Sequence, residues 1–164
     1  MLGRVVPYKR VDLALRGAAV AQRPVKVAGD GRAMESVRGL AGPGSELLGR
    51  VTDAQRDELL GGARALLFAG EEDFGIVPVE AQAAGVPVIA YGVGGATESV
   101  EDGRTGVLFD AQTPDSVAGA IARFEGLRLD EETIRANARR FGRERFQTEM
   151  ADVIMRSADA RRPA

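Results

Sequence analysis

Cysteine and histidine are both absent from the 164-residue chain. The first absence excludes disulfide frameworks, zinc fingers and thiol nucleophiles. The second excludes any chemistry that needs an imidazole from this chain, Ser-His-Asp triads among them. No apolar run approaches the roughly 20 residues required to span a bilayer. At the start, Met1-Leu2-Gly3-Arg4-Val5-Val6-Pro7 places a charge and a proline where a signal peptide needs its hydrophobic region. A soluble, cytoplasmic protein is the default expectation. Excess positive charge is missing too: the net charge is −2 and the pI near 5.3, which argues against a nucleic-acid partner. The locally basic Arg139-Arg140…Arg143…Arg145 run contains Glu144 and reads as a solvated helical face.

What remains is a globular balance, 45% hydrophobic and 28% charged, in a length that buries a core. Apolar bursts alternate with helical periodicity. Strands are expected at Gly3–Val6, Val25–Ala28, Glu46–Leu48, Ala65–Phe68, Val86–Tyr91 and Gly106–Phe109. Between them, helical faces recur at Val11, Ala14, Leu15 and Ala18, around 32–39, at Leu59, Leu60 and Ala63, near Pro78–Ala84 and near Ala96–Glu101. Thr52 and Gln55 have the spacing of a capping box, and Thr113-Pro114 opens another helix with a threonine cap and a proline in the first turn. Ile134, Ala138 and Phe141, then Phe146, Met150 and Val153, mark two amphipathic stretches in the tail. Such alternation predicts an α/β domain: a Rossmann-like parallel sheet with helices on both faces. Residues 1–129 would form this domain and 130–164 a helical extension.

Sheets of this kind bind ligands beyond the carboxyl ends of their strands. The loops expected there are Pro7-Tyr8-Lys9, Gly29-Asp30-Gly31, Gly49-Arg50-Val51, Glu71–Val77 and Gly92–Gly95. The fourth carries most chemistry. Gly75, Ile76 and Val77 sit where a helix opening near Pro78 would leave amides unpaired at its positive end, a natural seat for phosphate. Glu72 and Glu80 flank that seat, and a carboxylate accepts hydrogen bonds from neighbouring hydroxyls, as a sugar or ribose offers. Taken singly, Glu80 is better explained as a glutamate favoured by the helix dipole. The adjacent Glu71, Glu72 and Asp73, without further ligands, do not make a metal site.

The ordered combination is more specific than its parts. Glu72-x7-Glu80 encloses Phe74-Gly75 and is followed by Ala81-x-Ala83-x-Gly85-x-Pro87-Val88-Ile89-Ala90. Together with Gly3-Arg4…Lys9, Gly29-Asp30-Gly31, Leu48-Gly49-Arg50-Val51, Gly94-Gly95-Ala96-Thr97-Glu98 and Gly103-Arg104-Thr105-Gly106, it resembles the donor-binding domain of family 4 retaining glycosyltransferases of GT-B architecture. The resemblance extends over almost the whole chain. It implies the C-terminal half of a GT-B fold whose substrate, not cofactor, is a nucleotide-sugar such as GDP-mannose or a UDP-hexose. Arg4 and Lys9 would neutralise the diphosphate, and Glu72 would hold hydroxyls of the transferred hexose, these three being the catalytic set. Phe74, Gly75, Ile76 and Val77 would line the donor, Glu80 would bind the ribose, and Gly49, Arg50 and Val51 would meet the base. Transfer would be metal-independent and directed to a glycan or glycolipid acceptor.

In that family the acceptor is bound mainly by an N-terminal domain, which would have to come from elsewhere. Met1-Leu2 stands where the family has a longer apolar approach, and the apolar face of the last helical stretch is expected to be partly exposed. Alone, the chain is expected to bind donor weakly and transfer poorly or not at all. Two alternatives share the architecture: a non-catalytic nucleotide-sugar-binding module and a GT-B epimerase fragment. A phosphorylase would need a cofactor lysine, which Lys26 does not persuasively supply. A Rossmann dehydrogenase lacks its third glycine, since Met34 stands at that position.

Overall fold

A computed structural model describes residues 1–159. Among these residues five strands form, all parallel: β1 (Lys26–Ala28) with β2 (Glu46–Gly49), and β3 (Leu66–Phe68) with β4 (Val88–Tyr91) and β5 (Gly106–Phe109). Among the described residues eight α-helices flank them: α1 (Val11–Val20), α2 (Met34–Arg38), α3 (Asp53–Gly61), α4 (Ile76–Ala83), α5 (Ala96–Ser99), α6 (Pro114–Glu125), α7 (Glu131–Arg139) and α8 (Arg143–Asp159).

The near-continuous apolar character of β3, β4 and β5 follows from burial on both sides. Side chains alternate across a strand. Leu67, Ile89, Val107 and Phe109 face α1 and α6, packing with Leu13, Ala14, Ala18, Val117 and Ile121. Leu66, Phe68, Val88 and Ala90 turn the other way, onto Leu60, Ala81, Ala96 and Val100. A smaller core of Val5, Val11, Leu15, Val27 and Val37 seals β1 to α1 and α2. Helices therefore cover both faces, as expected.

The helix signals translate directly. Thr52 Oγ1 accepts from the Gln55 amide at 3.3 Å while Gln55 Oε1 accepts from the Thr52 amide at 2.9 Å, completing the capping box. Thr113 caps α6 through the Ser116 amide at 3.2 Å, with Pro114 in the first turn. Asp130 caps α7 by accepting from the Thr133 amide at 2.8 Å.

Three expectations are corrected. Gly3–Val6 is not a strand. Leu2 makes a single parallel bridge with Ala28, and the chain then turns at Gly3 (φ 124°), so that the Val5 amide reaches Asp30 O at 3.0 Å instead of continuing a ladder. The sheet is consequently in two pieces rather than one. Val86 and Pro87 lie ahead of β4, because proline has no N–H for the ladder. Finally, α4 opens at Ile76, two residues before Pro78. Pro78 is tolerated in the first turn because its missing N–H would have been unpaired there.

In the tail, α7 packs on α4 through a buried polar cluster. Asn137 Nδ2 donates to Gln82 Oε1 (2.6 Å) and to Ser99 O (2.8 Å), and Gln82 Nε2 donates to the same carbonyl (2.8 Å). Phe146, Met150, Val153, Ile154 and Met155 of α8 are exposed, as expected for that face.

Candidate functional site

Residues 3–10 lie across the carboxyl ends of both sheets. Gly29 follows β1 at φ 139°, and a Cβ there would sit 1.8 Å from Gly3 O, so only glycine admits this crossing. After β3, a Cβ on Gly70 would meet Lys9 Cα and Tyr8 O at 2.6 Å. The Pro7–Lys9 3-10 turn is thus pressed against the loop that carries Glu71–Gly75. Gln112 braces the two: its Nε2 donates to Ala69 O (3.1 Å), and its Oε1 accepts from Arg10 Nη1 (2.9 Å). Arg10 itself holds a left-handed backbone (φ 50°) between the 3-10 turn and α1.

The packing brings Lys9 Nζ to 2.5 Å from Glu72 Oε1, with both side chains largely buried. The approach is an ion contact without hydrogen-bond alignment, so Oε1 has no aligned donor although it is out of water. A buried carboxylate left in that state favours a hydroxyl donor arriving beside it. Arg4 is exposed, and it shares with Lys9 the lining of a small pocket of about 10 Å³ that also includes Gly3 and Phe68. Arg4 and Lys9 therefore border the same small pocket at this end of the sheet.

Across from them is the start of α4. Gly75 is its N-cap, with φ 76° and no side-chain cap. The first amides of a helix have no internal partner, and here Pro78 removes one of the four, leaving Gly75, Ile76 and Val77. They place partial positive charge at the start of α4. The Ile76 side chain points to solvent, while the Phe74 ring packs edge-on against Phe141 with centroids 5.6 Å apart. Glu80 is the fifth residue of α4, partly exposed, and within electrostatic reach of Arg56. The Arg56 guanidinium is held above its ordinary pKa by Asp57 first, then by Asp53 and Glu80.

The Gly92–Gly95 loop supports the donor loop from behind. Gly95 N donates to Glu72 O at 2.8 Å, and a Cβ on Gly95 would lie 2.4 Å from Phe74 Cα. Gly94 and Gly95 belong to a matched motif but had no assigned role; adjacent glycines after a strand were the only signal. Nothing in the local sequence marked Gln112 or Arg10. Gly49 adopts φ 68° and its carbonyl accepts from Gly29 N at 2.7 Å. Arg50 and Val51 line a separate groove of about 860 Å³ between the two sheets, in company with Gln55 and Arg56. The structure thus pairs Lys9 with Glu72, sets Arg4 beside Lys9 at the small pocket, leaves the α4 amides at the end of the same 71–75 loop, and puts Arg50 and Val51 along the neighbouring groove. Among the described residues no acidic, histidine or cysteine cluster forms a metal site, and no helix is long and apolar enough to cross a membrane.

Parallel strands between two helical layers, with an uncapped helix N-terminus following β3, define an α/β domain of Rossmann type. The family model for glycosyl transferases group 1 matches residues 1–141, and the chain belongs to that family. A D-inositol 3-phosphate glycosyltransferase of Acidothermus cellulolyticus is 33% identical over 85% of the chain, which spans 36% of that protein. The corresponding enzyme of Geodermatophilus obscurus is 36% identical over 85% of the chain and 35% of its own length. Among solved structures, the apo lipopolysaccharide outer core galactosyltransferase WaaB superposes with a TM-score of 0.80 at 21% identity, over 95% of this chain and 48% of that one. Anabaena HepE, solved in complex with UDP and glucose, gives 0.72 at 24% identity, over 94% and 47%. The fold is therefore the Rossmann-like half of the GT-B architecture, and the chain spans well under half the length of the curated relatives named here.

Proposed function

We propose that this chain is the C-terminal, donor-binding half of a retaining glycosyltransferase and holds a nucleotide-sugar at the mouth of α4. The observation that carries this reading is the Lys9–Glu72 pair beside an uncapped helix N-terminus. A cation and free amides suit a diphosphate, and a buried carboxylate without an aligned donor suits sugar hydroxyls. Arg4 and Lys9 contact the diphosphate, Glu72 the hexose, Gly75–Val77 the phosphate and sugar through their amides, and Phe74 lines the loop. Glu80 takes the ribose hydroxyls. Gly49, Arg50 and Val51 meet the base. Residues 130–164 act as an extension, of which 160–164 lie outside the described residues; α7 packs on this domain and α8 is offered to an acceptor domain.

In the reaction, the bond from the anomeric carbon to the departing phosphate oxygen breaks. The acceptor oxygen bonds to that carbon on the same face, and its proton passes to the phosphate. The chain's contribution is to stabilise the negative charge growing on the diphosphate. GDP-mannose or a UDP-hexose is the donor, with a glycan, a glycolipid or, by the names of the curated relatives, an inositol phosphate as acceptor. An N-terminal acceptor-binding domain is required for turnover, in a cytoplasmic setting.

Calorimetric titration with GDP, UDP, ADP and their sugar conjugates tests the reading. One of the three nucleotides should bind, and Lys9→Ala and Glu80→Ala should each weaken it about tenfold or more, the equivalent of about 1.4 kcal/mol. If none binds at about 1 mM, corresponding to roughly 4 kcal/mol, the donor-site reading fails. Unchanged affinity in Glu80→Ala would instead remove the ribose assignment.

A further inference from the structure

The loop between β3 and α4 is held by few bonds. Among the described residues, positions 71–74 make one backbone hydrogen bond, accepted by Glu72 O from Gly95 N at 2.8 Å. Phe74 has none: it belongs to no strand or helix, and Pro78, four residues on, has no N–H to offer its carbonyl. What fixes Phe74 is contact on two sides. Its backbone lies against Gly95, where a Cβ would stand 2.4 Å from Phe74 Cα. Its exposed ring meets the Phe141 ring edge-on, with centroids 5.6 Å apart and planes inclined at 63°. In that arrangement the positive edge of one ring faces the negative face of the other, so the pair attracts beyond the area it buries.

The two rings are unequally anchored. Phe141 follows α7, and its N–H donates to Ala138 O at 3.0 Å while Gly142 N donates to Arg139 O at 3.1 Å, so its backbone closes the end of that helix. The helix is itself locked to α4 and to the end of α5 by the buried Asn137, Gln82 and Ser99 bonds. Over the Phe141 ring lies the Arg140 guanidinium, 5.5 Å from the centroid, and Arg140 Nη1 donates to Glu101 Oε1 at 3.2 Å. Phe141 is thus the fixed member of the pair, and Phe74 is the one that needs fixing.

We propose that Phe141 is a positioning residue for the 71–75 loop. Its ring holds Phe74 against Gly95, and so sets where Glu72 lies on one side and where the Gly75, Ile76 and Val77 amides lie on the other. It acts through Phe74 rather than on the ligand. The consequence for nucleotide affinity rests on the donor-site reading; the consequence for the loop does not.

The test is a double-mutant cycle on the full chain, with Phe74→Ala, Phe141→Ala and the pair. It is read by calorimetric titration with GDP, UDP and ADP and by amide hydrogen exchange at Gly95. Gly95 is buried and its N–H bonds to the loop, so its exchange reports local opening there. Phe141→Ala should weaken the nucleotide that binds about threefold to tenfold, the range expected of an aromatic pair. It should also speed exchange at Gly95 about threefold or more relative to the Ile89 and Val107 amides of the sheet. Phe74→Ala should do the same, and the double variant should lose no more than either alone. Gly17→Ala controls for lost stability, because its Cβ would meet Val117 of α6 at 2.4 Å, and it should keep the parental affinity. Additive losses in the double variant, parental exchange at Gly95 in Phe141→Ala, or an equal affinity loss in Gly17→Ala would each overturn the proposal. A parent chain that bound none of the three nucleotides would remove the donor-site reading, and exchange at Gly95 would still decide whether Phe141 holds the loop.

Discussion

Gly95→Ala isolates the support of the donor loop from its chemistry. Gly95 has an ordinary helical backbone (φ −61°), so alanine brings no conformational strain there. Its Cβ, however, would stand 2.4 Å from both Phe74 Cα and Phe74 O and 2.5 Å from Asp73 O. All three atoms are backbone, and none can rotate away. The 71–75 loop must therefore move by roughly half an ångström or more, and the Gly95 N to Glu72 O bond of 2.8 Å must stretch or break. Overpacking of this kind costs about 1–3 kcal/mol. For a chain of this size that lowers Tm by roughly 4–8 °C around a 2 kcal/mol midpoint. Displacing Gly75 and the amides that follow it should weaken nucleotide binding about tenfold, the equivalent of about 1.4 kcal/mol. Gly119→Ala serves as the matched control. It lies mid-α6, exposed, with nothing within 4 Å of a new Cβ. Relief of glycine's backbone entropy should stabilise it by about 0.5–1 kcal/mol. Differential scanning calorimetry and titration with the nucleotide that binds best give both numbers. Parental Tm and affinity in Gly95→Ala would refute the argument that this glycine positions the loop.

The same geometric logic applies at Gly17, where a Cβ would meet Val117 Cβ and Cγ1 at 2.4 Å. Gly17→Ala should destabilise by about 1–3 kcal/mol despite alanine's better helix propensity, as thermal unfolding would register. Asn137→Ala removes a donor from Gln82 Oε1 inside a buried cluster and should cost about 1–3 kcal/mol in a denaturant melt, with nucleotide affinity changed far less than stability. Acid sensitivity should trace in part to Asp102, whose carboxyl lies below its ordinary 3.8 because of the Arg123 hydrogen bond, with the Leu108 amide assisting. The unfolded chain binds the proton first, so this contribution is complete well above pH 3.8 and is lost as pH falls through the lower folded value. Asp102→Asn should flatten that part of an acid titration followed by circular dichroism; an unchanged acid midpoint would show that the pair contributes nothing.

The sequence by itself determined what depends on neighbours along the chain. Apolar runs at Leu66–Phe68 and Gly106–Phe109 became strands because both faces are buried, and Thr52-x-x-Gln55 became a capping box because the reciprocal bonds are local. The order of glycines and carboxylates around Phe74-Gly75 identified the family. Tertiary structure decided what depends on distant segments. That Lys9 meets Glu72, 63 positions away, follows from Gly70 packing on the 3-10 turn and from Gln112 bracing both. No local rule reports such a contact, because it depends on how β3 and residues 3–10 converge in space. The division of the sheet was equally illegible. Gly3–Val6 has the apolar character of a strand, but strand formation requires a partner edge along its length, and beyond Leu2 the chain bends away to wrap Gly29 and Gly31. Local pattern specifies the propensity to form an element; only the assembled edges determine whether it pairs.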